Sequence, residues 1–144
     1  MLRIGKFSAG LSPQDTVKLA NNVSKESFDP EKSVPFGMAT TVINANRAVD
    51  GSFIGWMREN TVVSFNPVKA VSGSFKCKVK VSQICGTGKI IMTQGGRVLA
   101  EFAVSPEKTE LVSSESFTLE QGVPVCFSIY GKWQGRMLDW QLIK

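Results

Sequence analysis

From residue 97 to the end of the chain, apolar side chains recur at every second position over three separate stretches. Val98, Ala100, Phe102 and Val104 form one set, Val123, Val125, Phe127 and Ile129 a second, and Leu138, Trp140 and Leu142 a third. In an extended chain a period of two puts alternate side chains on opposite faces, so each stretch is a strand with one dry and one wet face. A helix would scatter the same residues around its axis. Shorter stretches upstream continue the pattern, and strands are expected over 61–65, 74–81, 89–93, 97–104, 116–119, 123–130 and 138–143. Gln94-Gly95-Gly96 and Glu120-Gln121-Gly122 supply turns between them. Seven or eight short strands of this kind bury their apolar faces only by stacking two sheets, so the expected fold class is an all-β antiparallel β-sandwich. The last two strands are expected to flank a loop bounded by Gly131 and Gly135, with Trp133 exposed at its tip.

The texture changes near Asp50-Gly51, which predicts a sandwich domain over 51–144 and a less regular N-terminal arm over 1–50. Within the arm, Ser12-Pro13-Gln14-Asp15 has the pattern of an N-cap followed by proline and an acid in the first turn. It predicts a short helix over 13–22, ended by Asn21-Asn22. The segment 34–44 is expected to bend into a strand. Such an extension either docks on a neighbouring subunit, with Phe28, Phe36 and Met38 as apolar anchors, or supplies outer strands to the same sandwich.

Composition excludes several classes of function. The 144 residues, 42% apolar and 20% charged, suit one globular domain with a core large enough to need no disulfides. No apolar run approaches the ~20 residues of a membrane helix, and the first ten residues have no signal-peptide core, so synthesis and retention in the cytoplasm are expected, with no membrane partner. Cys77, Cys85 and Cys126 are odd in number and lack metal-ligand spacing, which predicts buried, reduced thiols. The chain has no histidine, which removes Ser-His-Asp and Cys-His catalysis, and its acidic residues are scattered. An enzyme is therefore not expected. The net charge of +5 is dispersed; its densest run, Lys76, Lys78 and Lys80, alternates along one strand without interleaved aromatics, and predicts a solvated face rather than a nucleic-acid site.

One segment carries a family likeness. Ile54-Gly55-Trp56, then 61–65, Gly73-Ser74-Phe75, 122–129 and the ending Leu138-Asp139-Trp140 together resemble the jelly-roll carbohydrate-binding modules that accompany xylanases and agarases. The resemblance covers about two thirds of the chain and implies a galactose-binding-like jelly roll. It further implies that an aromatic ahead of the early strand and another before the last strand clamp a sugar ring. Those positions are Trp56 and Trp133, with Arg136 close by. Met137 stands where the family usually has an asparagine. The aspartate of the ending commonly ligates a structural calcium, which here implicates Asp139, although the early strand supplies no second carboxylate.

The segment Val34-Pro35-Phe36-Gly37-Met38-Ala39 followed by a β-stretch also resembles small structural proteins of tailed bacteriophages, the decoration or cement proteins of capsids and the components of tails and baseplates. This likeness implies a virion component made in the host cytoplasm and present in many copies or as a homo-oligomer. It implies action by adhesion to other virion subunits, with cell-surface glycan as a further partner. The expectation carried forward is a phage structural protein on a jelly-roll sandwich, with polysaccharide binding through Trp56 and Trp133 as the alternative.

Overall fold

In a computed structural model, the described residues are 33–65 and 73–143. They form nine strands in one continuously hydrogen-bonded sheet. In chain order these are β1 (Val34–Pro35), β2 (Thr41–Ile43), β3 (Asn46–Arg47), β4 (Ile54–Met57), β5 (Val62–Phe65), β6 (Lys76–Gln94), β7 (Arg97–Val104), β8 (Glu110–Val112) and β9 (Val125–Ile143). β6 and β9 each run for 19 residues, three times the ordinary strand length, and they pair antiparallel from Lys76 with Ile143 to Gln94 with Val125.

This two-stranded ribbon generates both layers of the sandwich. Phe127 and Trp140 lie on the same strand, yet their ring centroids are 5.5 Å apart. A straight strand would hold them about 40 Å apart at ~3.3 Å per residue, so β9 turns back over itself and its two halves face each other across the core. One layer carries β7, the far half of β6, the near half of β9, β5 and β2. The other carries β8, the near half of β6, the far half of β9 and β1, with β4 and β3 alongside the bend.

Irregularities at the bend keep the apolar side chains inward. On β6 the buried positions are Cys77, Val79 and Val81, then Ile84, Ile90 and Met92, a change from odd to even. The register slips between Ser82 and Cys85, where Gln83 has φ +54°, and β9 makes the matching change between Met137 and Trp140. A β-bulge has this consequence: one extra residue bends the strand and exchanges its faces. Leu138, expected inside with Trp140, is half-buried for this reason, and Met137 takes the interior place.

Glycines allow the close approach at the same place. Gly86 and Gly131 have φ of +99° and +97°, which side chains with a Cβ seldom adopt. A Cβ on Gly88 would strike the indole of Trp133 and the carbonyl of Tyr130. The expected loop over 131–135 is therefore absent; Gly131 and Gly135 are bends inside β9 and not the ends of two strands. Likewise 74–81 and 89–93 are parts of the one strand β6, while 97–104 matches β7. The expected strand over 116–119 reduces to a single bridge from Phe117 to Phe75. The Gly95–Gly96 turn closes the β6–β7 hairpin, and buried Gln94 beside it donates to the carbonyls of Glu120 and Val123 and accepts from the Glu120 N–H.

The segment before residue 50 is not separate from the sandwich where it is described. β1 pairs with β9, β2 with β5 and β3 with β4. Phe36, expected as an anchor for a neighbouring subunit, is fully buried, with ring centroids 5.4 Å from Phe65 and 5.1 Å from Phe127. Its position is fixed by Arg47, which donates to the carbonyls of Gly37 at 2.8 Å and Ala39 at 2.7 Å. Met38 is exposed, while Phe28 and the helix expected over 13–22 lie outside the described residues. The lysine run behaves as expected: Cys77 and Val79 point inward between Lys76, Lys78 and Lys80, and Lys78 pairs with Glu110 at 4.0 Å. All three cysteines are free. Burial raises the Cys77 thiol's pKa, whereas Cys85, expected to be buried, is exposed at the bulge.

Truncating Phe36→Ala should open a cavity between the layers and cost about 3–5 kcal/mol. Urea unfolding monitored by tryptophan fluorescence checks this, and an unchanged midpoint would contradict the placement of residues 34–39 in the core.

Candidate functional site

β4 enters beside the bend of β9, with Ile54 opposite Met137 and Met57 opposite Gly135. Ile54 and Met57 are driven into the core, which leaves Trp56 directed outward with 42% of its surface exposed. An indole is costly to expose, and this one lies on the outside of the sandwich in a strand whose other side chains are buried.

Arg136 is the next element of the site. On β9 it lies on the face opposite Trp133 and Gly135, and its guanidinium carbon stands 4.3 Å from the Phe53 ring centroid and 4.9 Å from that of Trp56. Two aromatic faces thus grip one cation, each contact worth about 0.5–2 kcal/mol depending on its desolvation. Gly55 makes the approach possible, because a Cβ there would stand 3.3 Å from Arg136 Cγ and 3.3 Å from Phe53 Cε1. The turn that follows β4 is held by Thr61, which is buried, donates to the Asn44 carbonyl at 2.8 Å and accepts from the Arg58 N–H. Asn44 and Asn60 on the two facing turns have φ of +62° and +73°, and the Asn44 amide donates to the Asn60 carbonyl. The backbone around Trp56 is therefore braced on both sides.

Of the residues singled out in the sequence, the structure brings Trp56 and Arg136 together and removes Trp133 from the group. Trp133 is 3% exposed, packed on Gly88, and its indole N–H donates to the Tyr130 carbonyl at 3.2 Å. The flanking glycines suggested a loop tip; in the fold Gly131 lies against Gly88 and Thr87 and Gly135 against Ile84, while Gly88 on β6 clears space for the ring. Phe53 was missed, and its signal was its position one residue ahead of Ile54-Gly55-Trp56, where a third large ring precedes a glycine. Tyr130 was also missed. It is exposed and lines a recess of about 520 Å³ with Lys89, Glu101, Gly88 and Gly131. Lys89 and Glu101 form an ion pair across that recess at 3.5 Å.

Around Asp139 the described residues supply no cluster of carboxylates. Its register partners are Lys80 and Pro35, and among the described residues no three His, Cys, Asp or Glu side chains gather where a metal ion could be held.

Comparison with known proteins places this geometry. No protein-family model and no curated protein matches the sequence. Solved structures do match. A β-1,3-glucan-binding family 6 module from Bacillus halodurans superposes with TM-score 0.68 at 13% identity, over 80% of this chain and 97% of that one. A family 6 carbohydrate-binding module from Clostridium cellulolyticum, in complex with xylose, gives TM-score 0.65 at 12% identity over 80% and 98%. A family 36 module in complex with calcium and xylotriose gives 0.61 at 16% identity over 78% and 99%. The fold is a galactose-binding-like jelly roll. At these identities the likeness is one of fold. The expectation of a phage structural protein is corrected: the matches include several carbohydrate-binding modules, and the described segment 34–39 that suggested a virion arm packs into the sandwich core through Val34, Phe36 and Ala39.

The site and core roles of the two tryptophans predict unequal losses of stability. Trp133→Ala should cost about 3–5 kcal/mol, as for other buried aromatics, and Trp56→Ala about 1 kcal/mol or less. Chemical denaturation of both variants tests this, and equal losses would contradict the assignment.

Proposed function

We propose that the protein is a non-catalytic carbohydrate-binding module that holds a glycan against Trp56, beside Phe53 and Arg136. The observation that carries this reading is an exposed indole held by a guanidinium 4.9 Å from its ring centroid. Pyranose rings present C–H faces that suit an aromatic surface, while their hydroxyls need polar partners close by. A ring that is already immobilised loses little rotamer freedom on binding, so more of the stacking energy appears as affinity.

Three further facts support it. The fold is shared with modules described in complex with xylose and with cellobiose, and with one described as binding β-1,3-glucan. The chain has no histidine, which removes Ser-His-Asp and Cys-His chemistry and accords with a binding role. Trp56 and Arg136 lie on strands, with Phe53 one residue ahead of β4, as a preorganised platform requires. Unlike a clamp of two tryptophans, the platform has a single open indole, since Trp133 serves the core.

Affinity electrophoresis through gels containing soluble polysaccharides, neutral and acidic, tests the proposal. The wild-type protein should be retarded by at least one of them, and Trp56→Ala should lower that affinity about tenfold, the equivalent of about 1.4 kcal/mol. Migration unaffected by every polysaccharide, or equal retardation of the variant, would overturn it.

A further inference from the structure

Arg136 differs from the other partnered arginines of the described fold. Arg47 is spent on two backbone carbonyls, and Arg97 on the Thr118 carbonyl and Glu120. Arg136 has ring contacts but, among the described residues, neither a hydrogen bond nor an ion pair. Its Nε is sealed inside the stack without an acceptor, which leaves the two terminal nitrogens, also without acceptors, at the solvent side.

No counter-ion is within the neighbouring strands. β6, which pairs Ser82 with Arg136, contains no Asp or Glu along its 19 residues, and β4 contains none. On β9 the first acid is Asp139, which is paired in register with Lys80. Glu59, in the turn after β4, makes no ion pair with Arg136. Lys132 shares the outer face of β9 with Arg136, and both it and Arg58, one residue beyond the end of β4, are exposed. A guanidinium held by contact with two rings is restricted in where its fork points, and that fork matches the two oxygens of a carboxylate or sulfate group.

We infer that the Trp56 platform selects anionic glycans, with the sugar ring against the indole and its acidic substituent on the Arg136 fork. This inference rests on the carbohydrate-binding reading above and adds to it the charge of the ligand. Carboxylated and sulfated sugars share the required chemistry, so the test separates them.

Isothermal titration calorimetry of the full chain with three probes, xylotetraose, tetragalacturonate and a carrageenan tetrasaccharide, decides the matter in wild-type, Arg136→Gln and Arg136→Lys proteins, each checked for an intact fold by circular dichroism. At least one acidic probe should bind ten times more tightly than xylotetraose, and whichever does identifies a carboxylate or a sulfate as the partner. The Gln variant should bring the acidic-to-neutral ratio close to one, and the Lys variant should recover part of it. Raising the salt should shrink the ratio in the wild type, as screening requires. If the wild type binds xylotetraose as well as it binds either acid, or the ratio is unmoved in Arg136→Gln, the charge selection is wrong while the binding reading survives. If the wild type is retarded by no polysaccharide and binds none of the three probes, both fall.

Discussion

The architecture depends on the unbroken pairing of β6 with β9. Two strands of ordinary length would make a hairpin belonging to one sheet. Strands of 19 residues that bend together belong to both layers; β1, β4, β5, β7 and β8 dock directly onto their edges, and β2 and β3 add outside β5 and β4. β5, β4 and β1 share the second edge of β9 in succession, opposite 125–128, 135–137 and 139–140. The aromatic cluster of Phe36, Phe65, Phe127 and Trp140 fills the angle of the bend and draws on both halves of the ribbon.

The bend also creates the site. To turn a paired ribbon back on itself, the chain needs bulges, glycines with positive φ, and a large side chain to fill the hollow at the corner. Trp133 takes the hollow, and the alternation of β9 then obliges Arg136 to face outward. There β4 crosses alongside with Phe53 and Trp56, and Gly55 lets the arginine stem lie between them. The same local geometry thus gives one tryptophan to the core and another to the surface.

The period-two pattern made the sandwich legible, because alternation is a property of each strand alone and survives any tertiary arrangement. β7 was expected with its observed bounds for that reason. The ends of strands were less legible. Gly131 and Gly135 read as loop bounds, since nothing local distinguishes a glycine that ends a strand from one that lets a neighbouring strand approach closely. The exposure of Trp133 was misjudged on the same ground. β8 and β4 are too short to show alternation, and the core role of Phe36 depends on pairings with residues far along the chain, which no local pattern carries. Trp56 and Arg136 were both singled out, but their partnership with Phe53 arises from the bulged register between β4 and β9.

Hydrogen exchange resolved by residue tests the continuous ribbon most directly. If β6 and β9 run unbroken through the bend, paired backbone amides within 131–136 and 85–90 should exchange as slowly as those at the centres of the two layers. If instead a loop separates two strands there, the amides of 131–135 would exchange within seconds, as in exposed turns, and the account of both the sandwich and the site would fail.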